Sequence, residues 1–294
     1  MLNAYFIVFL LGLLLVSPSA AQRVDLQAVV AYLASDQMNG RDAGSKESEV
    51  VAGWIADHLE AFGLKPLVGE HFFQPFSYRT GEEPVHAVNI AGKLGKGPVR
   101  LLLTAHYDHL GKGDIHSLEV FKDQVHNGAD DNASGVAVLL QLAERFSQLP
   151  DVGGIGWIFF SGHEDGLYGS THFAHVAISY VSSLQWVVNL DMVGRLDSLQ
   201  SPSPLYVRVP EQGKALVELL QLEATEQLKP VVKTATVQLD DQAFHALGVR
   251  TCTFSTGLHA DYHRTTDDPS SLNYAGMELV SAYIFRFVQN ILNK

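Results

Sequence analysis

Residues 101–111 read LLLTAHYDHLG, a short apolar run of strand length that ends in polar residues. Three of those polar residues can bind a metal or move a proton: His106, Asp108 and His109. If the strand continues through Asp108, its two-residue period places His106 and Asp108 on one face of the sheet. One of these side chains could then bind a metal while the other orients it.

A second decisive stretch, residues 127–135, reads NGADDNASG and precedes a helical pattern over residues 133–149. Asp130 and Asp131 therefore lie in a turn at the junction between a strand and a helix. This position favours a site, but such acids also cap helices by accepting hydrogen bonds from free backbone N–H groups. An isolated His-x-Asp motif often arises by chance, so the choice depends on further candidate ligands.

The rest of the chain alternates strand and helix patterns, and 47% of its 294 residues are hydrophobic. The predicted strands cover residues 71–78, 85–94, 100–105, 154–161, 184–190, 204–209, 231–238 and 250–254. The predicted helices cover residues 24–34, 46–62, 133–149, 167–177, 213–226, 241–247 and 276–292. This alternation predicts a three-layer α/β/α domain with a mixed, mostly parallel sheet, in which sites form at the carboxyl ends of strands.

The N-terminal segment predicts export. Residues 5–16 are apolar except for Gly12, and small residues at 17–21 suit cleavage by a signal peptidase. We expect a signal peptide over residues 1–21 and one domain over residues 22–294, in the bacterial periplasm or outside the cell. The apolar run is too short for a comfortable membrane span, and no cysteine near the cleavage site offers a lipid anchor.

Charge and cysteine content narrow the function further. The formal net charge is −12 without a Lys/Arg cluster, which disfavours nucleic-acid binding. Acidic residues can instead hold divalent cations or attract a positively charged end of a substrate. Cys252 is the sole cysteine, so no internal disulfide can form, and its apolar surroundings favour a plain buried thiol.

Imidazole or carboxylate side chains follow several predicted strands, where they would share one edge of the sheet. The five candidate ligands are His106, Asp131, Glu164, Asp191 and His263. Nitrogen and oxygen donors without a thiolate suit zinc better than manganese or cobalt. One carboxylate bridging two ions about 3.5 to 4 Å apart is the arrangement of a two-metal hydrolase.

With these motifs, the chain resembles the co-catalytic di-zinc aminopeptidases, which include bacterial leucyl aminopeptidases and yeast aminopeptidase Y and are related to glutaminyl cyclases and glutamate carboxypeptidase II. The shared blocks are LASDQMNGRDAGS, HYDHLG, GADDNASG, GLYGS, NLDMVGR and DYHRTTDD. The resemblance implies a zinc-exopeptidase-like fold and two Zn²⁺ ions bridged by Asp131. It further implies that His106 and Asp191 complete one metal and that Glu164 and His263 complete the other.

The same resemblance assigns roles to residues near the ligands. Asp108 matches the acid behind the His106 ligand, and Asp241, His259 and Tyr262 match positions that line the substrate pocket. A helix cap is almost as good an interpretation for Asp241, and loop packing for the other two. We expect Arg195 to pair with a carboxylate.

One position departs from the family pattern, because the family has Gly-Glu-Glu where this chain has Gly162-His163-Glu164. His163 therefore stands in place of the glutamate that acts as general base. A neutral imidazole can do the same work, since histidine titrates near neutrality. Alternatively, the base is lost and the protein is a weak enzyme or a relic that binds metal, or His163 is itself a metal ligand.

The sequence thus predicts an exported metallohydrolase that acts on a peptide or small amide, most simply an aminopeptidase. Two alternatives stay open: another amide or ester hydrolase or a glutaminyl-cyclase-like acyl transferase on the same scaffold, and a non-catalytic zinc-containing binding protein. Three further histidines, His109, His116 and His126, lie in the long loop after the first ligand. We expect these three to be solvated.

Overall fold

The computed structural model describes residues 23–293 except residues 114, 122, 177–182, 212 and 235–237. The predicted signal peptide over residues 1–21 lies outside the described residues. Within the described residues, no helix combines the length and the apolar character that a membrane span requires.

In the part of the chain that the structure describes, nine strands form one mixed sheet. They are β1 (Lys65–Pro66), β2 (Phe73–Arg79), β3 (Pro84–Leu94), β4 (Val99–His106), β5 (Gly154–Phe160), β6 (Trp186–Leu190), β7 (Ser203–Val209), β8 (Leu228–Thr234) and β9 (Arg250–Ser255). Their order is β1-β3-β5-β4-β6-β9-β7-β8, with β2 paired to β3. Strands β5, β4, β6 and β9 run parallel at the centre, whereas β3 and β7 pair antiparallel on either side. The predicted mixed sheet is confirmed.

Among the described residues, seven α-helices cover the two faces of the sheet. They are α1 (Leu26–Leu33), α2 (Lys46–Ala61), α3 (Gly135–Ser147), α4 (Tyr168–Val176), α5 (Lys214–Gln221), α6 (Gln242–Ala246) and α7 (Tyr274–Leu292). Alternate residues of β4 enter different cores: Leu101 and Leu103 join the core under α3 and α7, and Leu102 joins a smaller core with Phe173 of α4 and Phe244 of α6. This two-residue alternation produces the three layers.

The largest shift from a predicted element concerns strand β8. The sequence predicts a strand over residues 231–238, whereas the observed strand is Leu228–Thr234 and includes Pro230. Proline is tolerated there because β8 pairs only with β7, so one side of the strand requires no backbone donor. Residues 235–237 of the predicted strand lie outside the described part of the chain.

The central strands bring the candidate ligands together. Because β4, β5, β6 and β9 are parallel, their carboxyl ends meet at one edge of the sheet. His106 is the last residue of β4 and Asp191 directly follows β6. The fold therefore concentrates acids and imidazoles that are distant in sequence.

Candidate metal centre

The centre of the candidate site is the carboxylate of Asp131, which lies between two histidines. His106 Nε2 is 3.3 Å from Asp131 Oδ1, and His263 Nε2 is 3.3 Å from Asp131 Oδ2. Both nitrogens are buried and have no hydrogen-bond partner among the described residues. Buried polar atoms of this kind are costly unless something binds them, so their positions fit a cation on each side of Asp131.

Glu164 and Asp191 complete the group. Glu164 Oε2 lies 3.2 Å from His263 Nε2, on one side of Asp131. Asp191 belongs to a set of ligand atoms, shared with His106 and His163, that lie within 4.8 Å of one another. The donors are imidazole nitrogens and carboxylate oxygens, which zinc accepts. We refer to the five residues His106, Asp131, Glu164, Asp191 and His263 as the Asp131 cluster.

The backbone N–H of Asp131 is held in place by the side chain of Asp267. Asp267 Oδ2 accepts hydrogen bonds from the N–H groups of Asp130 and Asp131, at 2.9 and 3.0 Å. Its other oxygen accepts one from Arg195, which also pairs with Asp261, so the expected carboxylate partner of Arg195 is confirmed. The acid Asp267 thus fixes the turn that presents Asp131.

Asn132 links that turn to the end of β6. Its side-chain oxygen accepts hydrogen bonds from the N–H groups of Gly135 and Met192, and its amide donates to the carbonyl of Leu190. Asp191 lies between Leu190, the last residue of β6, and Met192, so one asparagine fixes two carboxylates relative to each other.

Arg41 organises the loops beneath the site. Its buried guanidinium donates hydrogen bonds to four carbonyl groups, including those of Tyr107 and Gly128. Tyr107 follows the ligand His106, and Gly128 lies three residues before Asp131. Burial lowers the pKa of Arg41 to about 10, which leaves it charged at neutral pH. This role of Arg41 was not predicted from the sequence.

His263 has an unusual backbone conformation, with φ of +55°. Residues other than glycine rarely adopt this left-handed region, and such outliers cluster at functional sites. The ring is oriented by a hydrogen bond from Nδ1 to the carbonyl of His116, at 2.9 Å, and by stacking on Tyr262 at 3.8 Å. Its Nε2 is thereby directed at Asp131 and Glu164.

Asp108 lies close to His106, but its carboxylate is not the nearest acceptor. His106 Nδ1 is 3.2 Å from the backbone carbonyl of Asp108 and 3.8 Å from its carboxylate. The carboxylate instead accepts a hydrogen bond from the N–H of Glu164. Burial raises the pKa of Asp108 to about 6. Asp108 therefore contacts two candidate ligands at once.

The expectation that the loop histidines are solvated is wrong for two of them. His109 is buried, and its Nδ1 lies 2.9 Å from Glu164 Oε1. His126 is buried as well and contacts Ser117 and the carbonyl of Gln124. Only His116 is exposed. The loop that carries these histidines folds back on itself. Its two ends are joined by a hydrogen bond from the N–H of His126 to the carbonyl of Gly111.

The Asp131 cluster is strongly coupled electrostatically. Burial alone would lower the pKa of both imidazoles. Nearby carboxylates outweigh this effect and raise the pKa of His106 to about 9 and that of His263 to about 10. The two imidazoles in turn hold the pKa of Asp131 well below its ordinary value, again against burial. Burial raises the pKa of Asp191 to about 6. Protons therefore occupy positions that a dication would take, and metal binding would release them.

His163 stands beside the cluster and is paired with an acid that the sequence analysis did not identify. His163 Nδ1 is 2.8 Å from Asp240 Oδ2, and its ring stacks on that of His106 with centroids 3.7 Å apart. Asp240 is fully buried, whereas 14% of the His163 side chain is exposed. Against the effect of burial, Asp240 raises the pKa of His163 well above its ordinary value.

The three residues predicted to line a substrate pocket have different surroundings. Asp241 is buried against Thr251 and Thr253, and burial raises its pKa. His259 Nε2 lies 3.2 Å from Asp130 Oδ2, and Tyr262 stacks on His263. Their contact with a substrate stays a prediction. Cys252 is a buried free thiol, as expected.

Comparison with known proteins identifies the family. The family model of Peptidase family M28 matches residues 89–288, more than half of the sequence. The chain therefore belongs to Peptidase family M28. Its site residues lie within that match and are of the types that hold zinc.

Individual relatives are distant. Aminopeptidase YwaD of Bacillus subtilis is 28% identical over 208 residues, which cover 66% of this chain and 42% of that protein. The alkaline phosphatase isozyme conversion protein of Escherichia coli is 28% identical over 185 residues, which cover 60% of this chain and 53% of that protein. The chain spans about half the length of these curated relatives.

Solved structures share the fold. BSAP, a zinc aminopeptidase from Bacillus subtilis, superposes with a TM-score of 0.69 at 17% identity, over 90% of this chain and 94% of that one. A glutaminyl cyclase from Porphyromonas gingivalis gives a TM-score of 0.71 at 18% identity, over 92% of this chain and all of that one. At these identities the likeness establishes the zinc-exopeptidase fold that the sequence predicted.

Proposed function

We propose that the protein is a di-zinc aminopeptidase that releases N-terminal residues from peptides. The observation that carries this proposal is the convergence of four further candidate ligands on Asp131, whose two oxygens face different histidines at 3.3 Å. One zinc would be held by His106, Asp131 and Asp191, and the other by Asp131, Glu164 and His263. Membership of a peptidase family and likeness to aminopeptidases support a peptide substrate.

The chain's own residues would divide the chemistry among them. Bound zinc would act as a Lewis acid that polarises the substrate carbonyl and makes water more acidic. Nearby dications would disfavour the protonated form of His163, so its imidazole, with 14% of the side chain exposed, would take the proton from the attacking water. His163 would then return that proton to the departing amine.

The surrounding charge suits a substrate with a free amino group. The buried carboxylates Asp131 and Asp191 lie beside that of Glu164, and the pKa of Asp131 and Glu164 is held below its ordinary value by the nearby imidazoles, against burial. Two dications would more than neutralise these three carboxylates. We therefore expect the substrate ammonium group to be bound at the predicted pocket by the further acid Asp241, with His259 and Tyr262.

The test is hydrolysis of amino-acid 4-nitroanilides by zinc-loaded protein. His163→Ala should lower kcat by about 100-fold, the usual contribution of a general base. His163→Glu should retain more turnover than His163→Ala but less than the parent, because its carboxylate would lie against the buried Asp240. His58→Ala on helix α2, far from the cluster in sequence and fold, is the control and should act like the parent. An Ala variant as active as the parent would show that His163 is not the base.

The same assay judges the second candidate, a non-catalytic zinc-binding protein, which the substitution at position 163 favours. Hydrolysis by the His163→Glu variant alone would support that candidate. Cyclisation of a glutaminyl peptide without nitroanilide release would instead support the acyl-transferase alternative.

We also propose that the protein is exported, with a signal peptide over residues 1–21 and one peptidase domain over residues 22–294. The apolar run before small residues supports this proposal. N-terminal sequencing of the protein recovered from outside the cytoplasm should begin near Gln22. A protein that retains Met1 inside the cytoplasm would contradict it.

A further inference from the structure

The carboxylate of Asp240 has no evident structural reason to be charged and buried. It is wholly inaccessible, its Oδ2 lies 2.8 Å from His163 Nδ1, and the side chain of Ser170 is a second polar partner. Its other oxygen, Oδ1, has no hydrogen-bond partner among the residues that the structure describes. A buried carboxylate is costly unless it is paired, so the contact with His163 is what stabilises Asp240 there.

The contact also determines which nitrogen of His163 is available. Because Nδ1 faces Asp240, Nε2 is the nitrogen left for the reacting groups. Stacking on His106 fixes the plane of the ring, since the two rings are only 7° from parallel. The hydrogen bond restrains movement of the His163 ring within its own plane. The stack on His106 restrains movement perpendicular to that plane.

We infer that Asp240 is a positioning residue that holds the proton of His163 on Nδ1 and directs the lone pair of Nε2 toward the Asp131 cluster. A carboxylate behind an imidazole acts in this way in hydrolases, where it selects the tautomer and orients the ring. The part of the inference that concerns turnover rests on the proposed function. The part that concerns the tautomer does not.

Asp240 and His163 also form a matched pair. A glutamate at position 163 would place a second carboxylate against the buried Asp240, and two like charges in contact disfavour ionisation of both. Histidine at position 163 therefore suits an acid at position 240. The departure from the family's Gly-Glu-Glu pattern would then be a change of the base together with its partner rather than the loss of the base.

A double-mutant cycle tests the pairing. Asp240→Asn should lower kcat by about 100-fold in the parent, because an amide can donate to Nδ1 and shift the proton to Nε2. In the His163→Glu background the same change should leave kcat unchanged or raise it. Zinc content should stay at the parental level in all four proteins. Glu144→Gln, which neutralises a buried carboxylate on α3 that contacts Val24, is the control and should not alter kcat.

A spectroscopic measurement separates this inference from the proposed function. In zinc-loaded protein labelled with ¹⁵N-histidine, the signal absent from the His163→Glu variant should show hydrogen on Nδ1, and Asp240→Asn should move it to Nε2. Hydrogen on Nε2 in the parent would overturn the inference, as would an equal loss of kcat from Asp240→Asn in both backgrounds. Absence of hydrolysis in the parent and in His163→Glu would refute the proposed function, while the tautomer would still decide the role of Asp240.

Discussion

The Asp131 cluster and the pair formed by His163 and Asp240 lie side by side but are built differently. The Asp131 cluster consists of the residues that the resemblance to di-zinc aminopeptidases predicts as ligands, and both oxygens of its central carboxylate face histidines. In the neighbouring pair, histidine replaces the glutamate of that pattern, and a buried acid from a different loop contacts it. The comparison indicates that metal binding and proton transfer are separable, so substitutions should affect one without the other.

The largest effect should come from Asp131→Asn. The amide keeps the shape but removes the negative charge between two cation positions, so we expect at least about 1,000-fold lower turnover and loss of zinc. Activity on a nitroanilide and zinc content by elemental analysis should fall together. Asp57→Asn, an exposed change on α2, should alter neither. An Asp131→Asn protein with parental zinc content would show that Asp131 is not needed for metal binding and would contradict the proposed difference between the two regions.

A smaller effect should follow from His109→Phe. His109 binds the oxygen of Glu164 that faces away from His263, so its loss frees that ligand to rotate. We expect zinc affinity to fall by about 10- to 100-fold, the usual effect of removing a group that orients a metal ligand. Competition with a chromophoric chelator measures this affinity.

The matched control for His109 is His126→Gln, which changes another buried histidine of the same loop without contact to a candidate ligand. Its zinc affinity should equal that of the parent. If His109→Phe binds zinc as tightly as His126→Gln does, Glu164 does not depend on His109.

The part of the site that the sequence predicted is the part set by strand geometry. Apolar runs that end in a ligand place His106 and Asp191 at the same sheet edge whatever the loops do. His109 was expected to be solvated but is buried. The sequence around His109 contains no sign that its loop folds back over the site. Asp240 and Arg41 were missed for the same reason, since burial of a charged side chain depends on partners 66 to 87 residues away.

The smallest effect concerns pH. Without metal, the pKa of His106 is about 9 and that of His263 about 10, both above the ordinary 6.5. Their protonated forms thus contribute stability that is complete below pH 6.5 and is lost as the pH rises through 9 to 10. Burial also raises the pKa of Asp191 to about 6. Ionisation of Asp191 therefore also lowers the stability of the metal-free protein as the pH rises.

Zinc should replace those protons, so the gain in Tm on adding stoichiometric zinc should be larger at pH 9 than at pH 6.5. Thermal unfolding of chelator-treated and zinc-loaded protein at both values measures this gain. An equal gain at both values would show that His106 and His263 do not exchange protons for metal.

The central claim is that the five residues of the Asp131 cluster hold two ions, and its most direct test is the zinc stoichiometry of the purified protein. Elemental analysis after zinc saturation and removal of excess metal should return two ions per chain, and Asp131→Asn should reduce both. One ion per chain, or two ions that persist in Asp131→Asn, would contradict the shared carboxylate.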